Sequence, residues 1–215
     1  MIFPMALIPL LHKSPAPPLI LASASKVRGA LLRNAGLEFE ARESGVNEAQ
    51  LKIEFAKSPD AQNIDALALK LAEAKALAVS ANAPEALVIG ADQILSCNGK
   101  AYDKPRDMAQ ARANLQTFRA RAHVLHSGVA LAQGGEIVWR HADQASLTMR
   151  DFGEVFLDAY LKAVGEKVLS SVGCYQLEGP GVQLFEKIEG DYFTILGLPL
   201  LPLLAELRKR GAIAR

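Results

Sequence analysis

Asp92 closes the apolar run Leu87 to Ala91, and one hairpin later comes Lys104, inside Asp103-Lys104-Pro105-Arg106-Asp107. A second lysine, Lys75, lies late in an alanine- and leucine-rich stretch. Near the start of the chain, Ser23-Ala24-Ser25 follows another apolar run, with Arg28 just beyond. An acid, two lysines, an arginine and two hydroxyls are the residue types that polyphosphate hydrolysis asks for. Cations neutralise the phosphates, while a carboxylate holds Mg²⁺ or a water; charge stabilisation and positioning do most of the catalysis. Each residue also has a plainer reading. The Asp is a turn residue, Lys75 snorkels along a helix, and the serines cap one.

The elements around these residues decide between the readings. Leu19 to Ala22 reads as a short buried strand, and Lys26 to Gly36 has helical periodicity with Gly36 as its stop. A strand running through Ser-Ala-Ser into a helix leaves free backbone N–H groups at the helix start. With the two hydroxyls and Arg28 they make a phosphate cradle, though not a Walker A loop. Phe39 to Arg42 is a short strand, Asp65 to Ser80 a helix carrying Lys75, and Leu87 to Ala91 a buried strand. Asp92 then sits at the strand's carboxyl end, where ligand crevices of open α/β sheets lie. Asn98-Gly99 marks a hairpin over Ile94 to Tyr102, and Asp107 N-caps a helix to about Phe118. His123 to Leu131 and Ile137 to Thr148 are two long strands joined at Gln133-Gly134-Gly135. Glu154 to Val164 is helical, Gly173 to Gly181 a glycine-interrupted loop and Leu184 to Ile188 a strand. Leu198 to Arg210 is a closing helix with Pro199 near its first turn. Early alternation of strands and helices, with a long central hairpin, predicts an α/β fold on a mixed sheet.

Composition removes several classes. With 24 basic and 23 acidic residues among 215, the net charge of +1 gives no global footprint for nucleic acid. His123 and His126 face opposite sides of one strand and have no partner at zinc-ligand spacing. There is no G-x-S-x-G elbow, and Ser23 and Ser25 have no histidine nearby in sequence. Cys97 and Cys174 are too few for a disulfide scaffold and read as small buried residues, as in a reducing cytoplasm. Met1 to Pro18 is apolar but short and interrupted by Pro4 and Pro9, so it reads as an extension rather than a bilayer span. The domain is expected over 19–215, after an extension at 1–18.

Taken in order, these motifs resemble the Maf family of nucleotide pyrophosphatases. LILASASKVRGALLRNAGLEFE is similar to its opening, a strand, then S-x-S-x-x-R, then a helix. SGVNE matches its acidic segment with Glu48 at the acid, AEAKA its helix lysine at Lys75, GADQ its aspartate at Asp92 and DKPRD its second lysine at Lys104. YQLEGPGVQLFEKIEGDYFTILGLPL resembles its closing signature. The resemblance covers about Pro18 to Gly211.

It implies an elongated, two-lobed mixed sheet flanked by helices, like that of inosine-triphosphate pyrophosphatases. It also implies hydrolysis of nucleoside triphosphates between the α and β phosphates. Catalysis falls to Asp92, Glu48 and Lys104, with Asp92 and Glu48 holding a divalent cation, Mg²⁺ or Mn²⁺. Substrate contacts fall to Ser23, Ser25, Arg28, Lys75, Gln93 and Glu178. A cytoplasmic homodimer, with neither nucleic acid nor membrane as partner, goes with the family. Gln93 and Glu178 resemble the 7-methyl-GTP subgroup, where the dTTP/UTP subgroup tends to have Thr and Gln. Val27 departs from both subgroups, Asp103 from a usual glycine and Lys26 from a usual proline. The alternatives are a dTTP/UTP-type enzyme of the same family, or a nucleotide-binding regulator of septum formation without significant catalysis.

Overall fold

The computed structural model describes residues 16–214. All but the last three residues of the extension expected at 1–18 lie outside that range. Seven strands form one mixed sheet: β1 (Leu19–Leu21), β2 (Glu40–Ala41), β3 (Leu87–Cys97), β4 (Lys100–Tyr102), β5 (Ala122–Gln133), β6 (Glu136–Met149) and β7 (Phe185–Glu189). They run in the order β2-β1-β3-β5-β6-β7, with β4 paired to β3. β1 is parallel to β2 and β3, and the other pairings are antiparallel. The helices are α1 (Lys26–Asn34), α2 (Glu48–Phe55), α3 (Ile64–Ser80), α4 (Met108–Phe118), α5 (Glu154–Val164), α6 (Tyr192–Ile195) and α7 (Leu200–Lys209).

The strand carrying Asp92 is longer than the sequence reading allowed. β3 runs unbroken to Cys97, because β5 pairs with it residue by residue from Val88 to Ser96. Asp92 therefore lies in mid-strand rather than at a strand end. The crevice still exists, but on β3's other edge. There β1 pairs with Leu87 to Ile89 and β4 with Leu95 to Cys97, so neither reaches the segment between them.

The two faces of β3 do different jobs. Leu87, Ile89 and Ala91 belong to one hydrophobic core, with Leu21, Leu32, Leu131 and Leu203. Leu95 and Cys97 belong to another, with Phe118, Leu147 and Tyr175. Gln93 falls between the two on the same face, beside Ser127 of β5. Its amide nitrogen donates to Ser127 Oγ at 3.0 Å and to the carbonyls of Thr194 at 3.0 Å and Ile195 at 3.1 Å. A polar belt thus divides the two cores.

On the opposite face α3 lies against bare backbone. A Cβ at Gly90 would sit 2.1 Å from the Ala72 carbonyl oxygen, and one at Gly128 2.7 Å from Ala68. The helix start is pinned as well. His126 bonds Asp65 through Nδ1 and Ser96 through Nε2, each at 2.8 Å. These three residues stand in the order of a hydrolase triad, yet none of them lines the cleft described below. His123 points the other way, as its spacing from His126 predicts. Its Nε2 lies 2.8 Å from the Tyr175 hydroxyl, and its buried Nδ1 has no partner.

Two tests follow from this packing. Gly90→Ala lifts α3 off the sheet and costs about 1–3 kcal/mol in urea unfolding. Gly29→Ala, whose Cβ meets only the flexible end of Arg33, leaves stability unchanged or raises it by up to ~1 kcal/mol. For His123, burial pushes the pKa from 6.5 to about 4. The unfolded chain then binds a proton that the native state refuses, so stability is full above pH 6.5 and falls as pH drops toward about 4. The loss totals roughly 3 kcal/mol. Unfolding curves of His123→Gln across that range should lack this component.

Candidate active site

A cleft of about 670 Å³ opens along the free edge of β3. Each residue singled out from sequence lies on its wall: Ser23, Ser25, Arg28, Glu48, Lys75, Asp92, Gln93, Lys104 and Glu178. They come from separate parts of the chain. The turn after β1 supplies the serines, α1 the arginine and α2 Glu48. Helix α3 supplies Lys75, β3 the pair Asp92 and Gln93, the β4–α4 loop Lys104, and the loop after α5 Glu178.

At the centre is a buried ammonium. Lys75 Nζ lies 2.6 Å from Asp92 Oδ1 and 2.7 Å from Glu48 Oε1. The Lys75 and Asp92 side chains are 9% and 10% exposed, and that of Glu48 is 44% exposed. The plainer reading of Lys75 as a snorkelling surface lysine does not hold, because the close seat of α3 on Gly90 carries its head group to β3. Burial works against the charge on Glu48, but the Lys75 hydrogen bond and the charges of Lys75, Lys52 and Arg28 outweigh it. The Glu48 pKa therefore lies below the usual carboxylate range. Each carboxylate spends one oxygen on Lys75 and keeps the other.

Arg28 is held by backbone. Its Nε donates to the Gly197 carbonyl at 2.8 Å and an Nη to the Ala91 carbonyl at 2.9 Å. Ala22 N donates to the Ile89 carbonyl, so Arg28 takes the next carbonyl along the edge where β1 has ended. Burial lowers its pKa, and Asp92 and Glu48 push it back up. The same turn starts α1. Ser25 Oγ accepts from Arg28 N at 3.4 Å and Ser23 Oγ from Ser25 N at 3.2 Å. Among the described residues, the amides of Lys26 and Val27 keep no partner at this helix start.

The sequence reading missed α2 and with it Lys52. None of the helix's residues is buried, so it has no apolar periodicity to read. The legible signal was Asn47, whose side chain caps the helix by accepting from Gln50 N at 3.0 Å. Lys52 lies one turn after Glu48, lines the cleft and pairs with Asp103.

In total, five carboxylates and four cations line the cleft. The paired acids Asp92 and Glu48 can share a hard divalent cation with substrate phosphates, the usual way Mg²⁺ is held. Among the described residues, no cluster of three or more acidic, histidine or cysteine ligands exists, so the protein alone offers such an ion a partial set.

Comparison with known proteins gives a consistent set of relatives. The family model described as "Maf-like protein" matches residues 18–210. A 7-methyl-GTP pyrophosphatase of Rhizobium meliloti (strain 1021) is 53% identical, over 92% of this chain and 98% of the relative. One of Brucella suis biovar 1 (strain 1330) is 51% identical, over 91% and 97%. A nucleoside triphosphate pyrophosphatase of Granulibacter bethesdensis is 48% identical, over 91% and 98%.

The buried ammonium yields a direct test. Lys75→Met leaves two carboxylates facing each other without their cation and destabilises the fold by about 3 kcal/mol. Adding Glu48→Gln removes one unpaired charge and should recover part of that loss in the same denaturation assay.

Proposed function

The chain belongs to the Maf-like family, and on that premise we propose that it is a nucleoside triphosphate pyrophosphatase. Its products are a nucleoside monophosphate and pyrophosphate. The observation that carries the reading is the Asp92–Lys75–Glu48 cluster on the wall of a cleft that also holds Lys104 and the open start of α1. One domain over 19–215 performs the reaction.

Water supplies the oxygen for a new bond to phosphorus, the bridging P–O bond between the α and β phosphates breaks, and pyrophosphate leaves. Asp92, with one oxygen fixed by Lys75, orients the water through the other and takes its proton. Glu48, kept ionised, flanks the same point. Lys104 and the α1 amides take up phosphate charge. Arg28 holds the edge of β3 open with two of its five N–H groups on carbonyls, and adds positive potential with its Nη2 group still available to a phosphate. A Mg²⁺ or Mn²⁺ ion held by Asp92 and Glu48 would neutralise phosphate charge. Such an ion is needed on electrostatic grounds, because carboxylates outnumber cations in the cleft.

The base we assign is 7-methylguanine. The two carbonyls bonded to Gln93 fix which end of its amide is nitrogen. Only Oε1, an acceptor, remains for a ligand. Glu178 adds a second acceptor on the cleft wall. Two acceptors suit the N–H edge of a guanine. The relatives named 7-methyl-GTP pyrophosphatase support the same choice. The family reading also brings a cytoplasmic homodimer. The apolar hollow beside α1 and α7, where Leu201 is 57% exposed, suits a second copy.

The test is pyrophosphate release with Mg²⁺ or Mn²⁺ across 7-methyl-GTP, GTP, dTTP, UTP and CTP. We expect selective turnover of 7-methyl-GTP, and loss of at least about a hundredfold in kcat for Asp92→Asn with the fold intact. Pyrimidine turnover would move the chain to the dTTP/UTP type. Nucleotide binding with no release from any substrate would make it a regulator.

A further inference from the structure

We propose that Lys52 is a phosphate-binding residue of this cleft, and that Asp103 occupies its ammonium group until the substrate's phosphates replace it. This rests on the triphosphate reading above and adds to it a residue and a means of regulating access.

The accounting of cations leads there. Four line the cleft. Arg28 is fixed in place by two backbone carbonyls, which take two of its five N–H groups. Lys75 is spent on Asp92 and Glu48. Lys104 has no acceptor among the described residues, and one lysine is little to set against three phosphates. Lys52 is the remaining cation. It lies one turn beyond Glu48 on α2, so the two share a face of the helix. Both side chains line the same cleft wall.

Its one partner is easily given up. Asp103 comes from the loop after β4, immediately before Lys104, and its side chain is 76% exposed. An ion pair in contact with that much water is weak and screened by salt. A phosphate oxygen accepts from an ammonium as a carboxylate does, and the bond is charge-assisted in the same way. A triphosphate bound beside Lys104 would repel Asp103 as it attracts Lys52. Exchange of one anion for the other leaves the ammonium paired throughout, and the released carboxylate swings into solvent. Asp103 thus acts as a competitor for the site, tuning affinity for phosphate downward.

A purely structural staple between α2 and the β4–α4 loop predicts otherwise, so opposite signs distinguish the two. Lys52→Met should raise KM for the nucleoside triphosphate about tenfold, with kcat within about twofold. Asp103→Asn should lower KM about threefold. In the Lys52→Met background the effect of Asp103→Asn should shrink to less than about 1.5-fold, what is left being its direct repulsion of the phosphates. Calorimetric binding of inorganic tripolyphosphate in the presence of Mg²⁺ should follow the same pattern without relying on turnover. If both single variants shift KM in the same direction, or if Asp103→Asn lowers KM as much without Lys52 as with it, the assignment is overturned. Lys52-dependent binding of tripolyphosphate with no pyrophosphate from any nucleotide would support Lys52 and overturn the enzymatic reading. Turnover with KM unchanged in both variants would do the reverse.

Discussion

The site depends on one ammonium group placed where water barely reaches. Lys75 lies between Asp92 and Glu48, and a buried lysine is tolerable only with such partners. Much of the neighbouring structure serves that contact. α3 can bring Lys75 to the strand because Gly90 and Gly128 offer no side chain to keep the helix away. His126, tied to Asp65 and Ser96, anchors the start of the same helix against the sheet. Asn47 starts α2 at the position that delivers Glu48. Between two carboxylates the ammonium also relieves their repulsion, so both stay close with one oxygen each still free.

The cleft is the place where the sheet is incomplete. β1 and β4 share an edge of β3 without meeting, and the backbone exposed between them must find other donors. Arg28 supplies one to the Ala91 carbonyl. On the face turned from α3, neither hydrophobic core covers this stretch, and Gln93, Ser127 and the α6 carbonyls fill it with polar contacts. The gap in the ladder and the break between cores coincide at Asp92 and Gln93. Two-lobed character and ligand site therefore have a common origin.

Much of this was legible in the sequence. The long β5–β6 hairpin announced itself as two strand-like runs joined at Gly134-Gly135, α4 by its Asp107 cap, and α3 by its alanine- and leucine-rich composition. Asp191 caps the short α6 by accepting from Thr194 N at 3.0 Å. The cleft residues were found through motifs in order, which carry spatial information that periodicity lacks. What was not legible depended on partners distant in the chain. The full length of β3 is imposed by β5, which no local signal could convey. The burial of Lys75 depends on a glycine on another element. The commitment of Arg28 to carbonyls follows from where β1 happens to stop. α2 escaped because none of its residues is fully buried and only Leu51 reaches a core cluster, leaving its cap as the legible signal.

Charge balance connects the site to its substrate more tightly than any single contact. A cleft for polyphosphate would be expected to be cationic, yet here acids outnumber bases and Lys75 is already paired with two carboxylates of the protein. A bare anion gains little by entering. The same anion accompanied by a divalent cation arrives with much of its charge neutralised, and finds Asp92 and Glu48 each with an oxygen to share. On the proposed reading, with a divalent cation held by Asp92 and Glu48, the excess of carboxylates would favour the metal-complexed triphosphate over free phosphate or a monophosphate, which bring less compensating charge. Selectivity of this kind comes from leaving cations scarce, and it makes the affinity of the cleft sensitive to any single lysine that can be held back or released.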